Sequence, residues 1–166
     1  MPREVAESCV DLLLVEAVGA LSANGEPAEP ALEAIGVAVG FKLAERAAAA
    51  RPAFVDALDA IKFVCKEFWT DAFRKQVDNL RTNHRGVYVL MDNRVRWLAR
   101  LAPPKAGAAA GPTAESFARF SCGLIRGALA ALGIDAAVSA ELSAQPGACQ
   151  FTVKVAQPPA AAGRPA

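Results

Sequence analysis

The sequence predicts an α+β domain in which four helices pack on one face of a twisted four-stranded antiparallel sheet, in the order α-α-α-β-β-α-β-β. Three observations lead there. Four long stretches repeat apolar residues at steps of three and four, the spacing that stacks side chains on one helical face. Two later stretches alternate apolar and polar residues around turn residues, as half-buried hairpins do. Between them, Leu58 to Asn93 (LDAIKFVCKEFWTDAFRKQVDNLRTNHRGVYVLMDN) joins the most regular amphipathic helix to the clearest strand through a polar turn holding the single histidine.

The first helix is expected from about Arg3 to Leu21. Leu12, Leu13, Leu14 and Val15 are consecutive and so point in all directions, which leaves the second half of the helix almost no polar face. A turn with Asn24, Gly25 and two prolines leads to a second helix from about Ala31 to Ala50, with Leu32, Ile35, Val39 and Leu43 in one apolar row and Val37, Phe41 and Ala44 in another. Gly36 and Gly40 lie four apart on it. Each costs about 1 kcal/mol against alanine, so the pair signals a neighbouring backbone too close for side chains.

Arg51-Pro52 opens the third helix, whose stripe of Phe54, Leu58, Ile61, Cys65, Phe68 and Ala72 is flanked off-axis by Phe63, Trp69 and Phe73. A helix apolar on two sides is covered on two sides. Gly86 to Met91 reads as a strand, Asp92-Asn93 as a turn, and Val95, Trp97, Ala99 and Leu101 as the alternating inward residues of a return strand. Residues 102–112 (APPKAGAAAGP) read as a mobile surface loop. A fourth helix spans about Thr113 to Leu132, carries a second spaced pair, Gly123 and Gly127, and ends at Gly133. Ala136 to Leu142 and Gln150 to Val155 form a second hairpin around Gln145-Pro146-Gly147. Residues 1–156 are thus read as a single domain and 157–166 (QPPAAAGRPA) as a disordered tail.

Composition narrows the function classes. A net charge of +1, from 18 basic and 17 acidic residues without a basic block, gives no electrostatic footprint for nucleic acid. Cys9, Cys65, Cys122 and Cys149 fall singly at apolar positions and read as reduced, buried thiols rather than metal ligands or disulfides. The N-terminus lacks a signal-peptide plan and no apolar run is long enough to span a membrane, so a cytosolic protein is expected. His84 reads as a polar turn residue, because no serine, cysteine or carboxylate is placed to form a nucleophile constellation with it. Glu67, Asp71 and Asp78 read as a solvated face. Arg126, inside an apolar helix, calls either for a carboxylate or carbonyl partner or for a snorkelling path to solvent. No catalytic, cofactor or metal residues are assigned.

At this point the residues resemble a known family. The runs Leu58 to Trp69, Phe73 to His84 and Gly86 to Leu90 with Asp92-Asn93 are similar to the signature region of small subunits, subunit 6 type, of the trafficking protein particle (TRAPP) complex. Gly36-Val37-Ala38-Val39-Gly40 with Leu43, Glu45 and Arg46 is similar to the family's second-helix motif, and Cys122 to Leu129 to its fourth-helix motif. The resemblance implies the α+β fold above and a non-enzymatic scaffold. Its implied partners are subunit 3, as a heterodimer through the first two helices, other TRAPP subunits, and a Rab GTPase indirectly, since the complex supports nucleotide exchange in transport from endoplasmic reticulum to Golgi. Membrane contact at those organelles is then peripheral, through the complex. Subunit 3 carries an acylated cysteine where this chain has Arg51-Pro52-Ala53, so lipid attachment is not implied here.

The apolar surplus of the first two helices exceeds what one sheet face can bury, which marks an interface. The expected dimer interface is Leu12, Leu13, Val15, Val18, Gly36, Val39, Gly40 and Leu43; the close-approach glycines can meet another helix of the same chain or a partner helix, and the resemblance implies the partner. An isolated chain is expected to form a homodimer or to aggregate, and a subunit 3 partner to convert it to a 1:1 heterodimer. The alternative function is a small apolar-ligand-binding domain, since relatives of the fold use the space between helices and sheet as a pocket.

Overall fold

A computed structural model describes residues 6–23, 28–51, 53–83, 85–101 and 113–156. The expectations for Arg3, Pro52, His84, the loop 102–112 and the tail 157–166 fall outside these residues. Helices α1 (Glu7–Ala23) and α2 (Glu29–Ala48) come first. Helix α3 begins as Ala57–Phe63, passes through a π-helical stretch Val64–Phe68 and closes as Trp69–Phe73. Strands β1 (Asn79–Thr82) and β2 (Val87–Asp92), a 3-10 turn at Leu98–Arg100, helix α4 (Ala114–Ala131) and strands β3 (Ala136–Leu142) and β4 (Cys149–Val155) complete the order. The sheet is antiparallel throughout, ordered β1-β2-β4-β3.

Local chemistry sets the ends of these elements. Asp56 caps α3 by accepting the Asp59 N–H at 2.7 Å, and Thr113 caps α4 by accepting the Ser116 N–H at 3.2 Å. Arg74, at φ 61°, turns the chain out of α3 in the left-handed conformation that commonly ends helices. The π-helical stretch leaves the Cys65 carbonyl available, and it accepts the Val77 N–H at 2.9 Å. That bond draws the chain back across the helix towards β1.

Both sides of α3 are buried, as its double apolar face requires. Ile61, Phe68 and Trp69 are fully enclosed, and Phe63 and Phe73 nearly so. The Trp69 ring stacks on Phe73 at 4.3 Å and meets Phe151 of β4 edge-on at 5.7 Å, which ties the helix to the sheet. Tyr88, Leu90, Phe151, Val153 and Ala136 form the buried face of the sheet, while Arg81, Lys154 and Glu141 stay exposed.

The first hairpin differs from the one expected. The partner of β2 is the upstream segment Asn79–Thr82, and residues 94–101 form turns instead of a return strand. Trp97 and Leu98 are both buried, and neighbours in sequence point to opposite faces of a strand. A 3-10 turn puts both inside. The Asn83 side chain accepts the N–H groups of Arg85 and Val87, making the tight connection that the polar sequence there concealed.

Helices α2 and α4 interlock through their four glycines. A Cβ on Gly36 would lie 3.0 Å from Gly123 Cα and against the Phe120 carbonyl, and one on Gly40 would strike the Leu124 backbone. Gly123 and Gly127 face the Glu33 and Val37 carbonyls in return. The backbone that demands glycine therefore belongs to this chain. The expectation that Gly36 and Gly40 meet a partner helix is corrected: packing α2 against α4 inside the fold leaves them no path to another molecule.

Candidate interaction surface

Helix α1 buries one narrow stripe and presents the rest to solvent. Leu14 and Val18 enter the core, and between them and the first turn Asp11 is buried as well. Its carboxylate accepts the Trp97 indole N–H at 3.2 Å and pairs with Arg96 at 2.7 Å and with Arg100. Glu7, one turn earlier, pairs with Arg74 at 3.2 Å and with Arg96 at 3.6 Å. The turn 94–101, which replaced the expected strand, is thus the dock that fixes the orientation of α1.

That orientation decides which apolar side chains remain outside. Leu12 and Leu13 are 66% and 71% exposed, with Val10 and Val15 beside them on the helix. On α2, Ile35, Val39 and Phe41 are exposed, with Ile35 and Val39 one turn apart on the same flank. Large aliphatic side chains at this level of exposure on two helices exceed the scatter of single surface apolar residues.

The expected interface residues divide accordingly. Leu12, Leu13, Val15 and Val39 are on the surface, and Leu43 is half-buried. Val18 is fully enclosed, and Gly36 and Gly40 are buried against α4. Val18 is corrected for a simple reason: it follows Leu14 by four positions and so shares the inward stripe. The sequence reading missed Val10, Ile35 and Phe41 as exposed members, although the two apolar rows of α2 already contained the last two.

Two buried carboxylates were also missed as organising residues. Asp92, read as a turn, has a fully enclosed side chain that accepts the Trp69 indole N–H at 2.8 Å, the Lys75 ammonium at 2.8 Å and the Arg94 N–H at 2.8 Å. Lys75 also reaches Asp78 at 2.7 Å. Burial acts to raise the Asp78 pKa, but the Lys75 hydrogen bond and the Asn93 N–H outweigh it and hold the carboxyl below its ordinary 3.8. Burial likewise acts to lower Lys75, and its bonds to Asp78 and Asp92 lift it above 10.5 instead.

The other candidates settle plainly. Arg126 is exposed on α4 and pairs with Glu33 of α2, so it both reaches solvent and finds a carboxylate. Glu67 pairs with Arg51 at 3.0 Å on the surface. Cys65, Cys122 and Cys149 are buried, and burial pushes each thiol up to about 12. Cys9 corrects the expectation of four buried thiols, because it lies on the solvent side of α1. Among the described residues no group of three or more His, Cys, Asp or Glu side chains is placed to hold a metal ion, and no helix is long and apolar enough to cross a membrane.

Comparison with known proteins gives a consistent assignment. A family model described as Transport protein particle (TRAPP) component matches residues 10–156. The chain is 49% identical over 124 residues to zebrafish (Danio rerio) trafficking protein particle complex subunit 6b, an alignment that covers 75% of this chain and 76% of the relative. It is 44% identical over the same length, with the same coverage, to human (Homo sapiens) subunit 6A. Among solved structures, a Naegleria fowleri trafficking protein particle complex subunit 3 covalently bound to palmitic acid superposes with a TM-score of 0.68 at 14% identity. That superposition covers 91% of this chain and 98% of the other, a likeness of fold.

Proposed function

This chain belongs to the transport protein particle (TRAPP) component family, and on that premise we propose that it is a non-catalytic scaffold subunit of such a complex, pairing with a subunit 3 protein through the exposed sides of α1 and α2. The observation that carries the reading is the apolar surface of Leu12, Leu13 and Val15 on a helix whose opposite side is latched to the core through Asp11. A helix held in place by a buried polar anchor, with its leucines facing outward, is preorganised for a partner and lowers the cost of ordering at binding. The paired subunits then support Rab GTPase exchange by the complex at Golgi and endoplasmic reticulum membranes, with the exchange surface supplied mainly by other subunits.

Co-expression with subunit 3 tests this directly. The unmodified chain is expected to co-purify as a 1:1 heterodimer, and Leu13→Glu with Val39→Glu to abolish co-purification while each variant keeps its thermal melting point. Alone, the unmodified chain is expected to sediment as a homodimer at micromolar concentration. A charged variant that still pairs with unchanged affinity overturns the assignment of this face.

A further inference from the structure

Strand β3 lies at one end of the sheet, and no described residue pairs with its outer side. Ser143 donates to the Ala148 carbonyl at 3.1 Å, and Ala156 donates to the Asp135 carbonyl at 2.8 Å. In an antiparallel ladder hydrogen-bonded pairs alternate, so the odd-numbered residues of β3 spend their backbone groups on β4. The N–H and C=O groups of Ala136, Val138, Ala140 and Leu142 point outward. Edge strands are commonly blunted by shortness, lysine, proline or a bulge. The opposite edge, β1, is four residues long and carries Arg81. By contrast β3 has seven residues, AAVSAEL, without lysine or proline, in unbroken register with β4 from Ala136 to Leu142.

Beside this edge is an open groove of about 710 Å³, lined by Ala140, Glu141 and Leu142 of β3, Glu115, Ala118 and Arg119 of α4, and Glu29 of α2. Glu29 and Glu115 against Arg119 leave its helix side net acidic, and Glu141, on the other face of the sheet beside Gln150, adds a carboxylate at the same edge. Glu141 takes a long 3.4 Å contact from Gln150, while Glu29, Glu115 and Arg119 have no hydrogen-bond or ion-pair partner among the described residues. Leu142 offers an apolar foothold at 41% exposure.

We propose that this edge and groove bind an extended, basic segment of a partner protein, which adds to the sheet alongside β3 as a further strand. Main-chain hydrogen bonds to the outward groups supply the attachment, and the alternate side chains on the helix side of the sheet reach Glu115 and Glu29. The site is separate from the exposed sides of α1 and α2, so the chain can hold a pairing partner and a peptide at once.

The test titrates the isotope-labelled full chain with the decapeptide (Lys-Val)5, following amide chemical shifts. Shifts are expected at Ala136, Val138, Ala140 and Leu142, and a Glu29→Lys, Glu115→Lys double variant weakens binding about tenfold at low salt and less at high salt. Arg119→Gln, which removes the one cation, strengthens it, a gain that misfolding cannot mimic. A fully N-methylated (Lys-Val)5 keeps the charges but has no N–H to donate, and it is expected not to bind. Absence of β3 shifts at about 1 mM peptide, equal binding of (Glu-Val)5 or of the N-methylated peptide, or contacts from residues 102–112 to β3 in the free chain overturns the proposal.

Discussion

Gly36 and Gly123 face each other across the α2–α4 contact so closely that a Cβ on either would lie within 3.0 Å of the other's Cα. Real Cβ atoms do not approach a backbone so near, so the two helices are set at this distance by the absence of side chains.

Replacing either glycine by alanine therefore opposes two effects. Helix propensity gains about 1 kcal/mol, whereas overpacking a rigid backbone contact costs about 1–3 kcal/mol. The clash wins, because the atoms met belong to main chain that cannot swing aside. Chemical denaturation of Gly36→Ala and Gly123→Ala is expected to give a net loss of stability for both, whereas Gly19→Ala, with open space around its Cβ position, is expected to be neutral or stabilising.

Asp11→Ala removes the carboxylate shared by Trp97, Arg96 and Arg100. Arg96 is left almost enclosed without its main counter-ion, and breaking such a pair from one side costs about 3 kcal/mol. Hydrogen exchange is expected to rise first in α1, whose other attachments are Leu14, Val18 and the Glu7 contacts with Arg74 and Arg96. Binding of the pairing partner is expected to weaken with it, since the leucines lose their fixed orientation.

The Lys75, Asp78 and Asp92 network gives a pH signature with opposite limbs. Asp78 is held below its ordinary 3.8, so its contribution is present above that pH and is lost as pH falls through the lowered value. Lys75 is lifted above 10.5, so its contribution is present below that pH and is lost as pH rises through the raised value. Denaturation midpoints across pH are expected to form a plateau between these limits, and Asp78→Asn to flatten the acid limb.

Thiol chemistry separates Cys9 from the rest. With Cys65, Cys122 and Cys149 pushed up to about 12 by burial, a disulfide reagent at pH 8 is expected to modify one thiol per native chain and four after denaturation. Cys9→Ser is expected to abolish the native reaction.

Patterns repeated over many residues were legible in the sequence: the helices, the second hairpin, the doubly buried α3, and the close approach marked by Gly36 and Gly40. Single contacts were not. Arg94 to Leu101 alternate like a strand, and only the joint burial of Trp97 and Leu98 with the Asp11 anchor makes them turn. Asn79 to Thr82 look like part of a polar connection, because a short edge strand with one wet face has too few apolar residues to announce itself. The identity of the neighbour at Gly36 was beyond reach for a related reason. Spacing states that a backbone comes close, and nothing in it says whose. The same limit placed Val18 on the surface, since the second half of α1 has almost no polar face and the direction inward is set by Asp11, 86 residues from its indole partner.

The π-helical stretch at Val64–Phe68 acts as a phase slip. One residue inserted into a helix rotates everything after it by ~100°, and here that rotation aims the Trp69 indole at Asp92 while Phe63, on the near side of the slip, stays in the core. If the same residues continued as a regular α-helix instead, Trp69 and Phe73 would swing out of alignment with the sheet. The irregular turn is therefore the part of α3 that cannot be tidied: it sets the direction in which Trp69 meets Asp92 of β2 and Phe151 of β4.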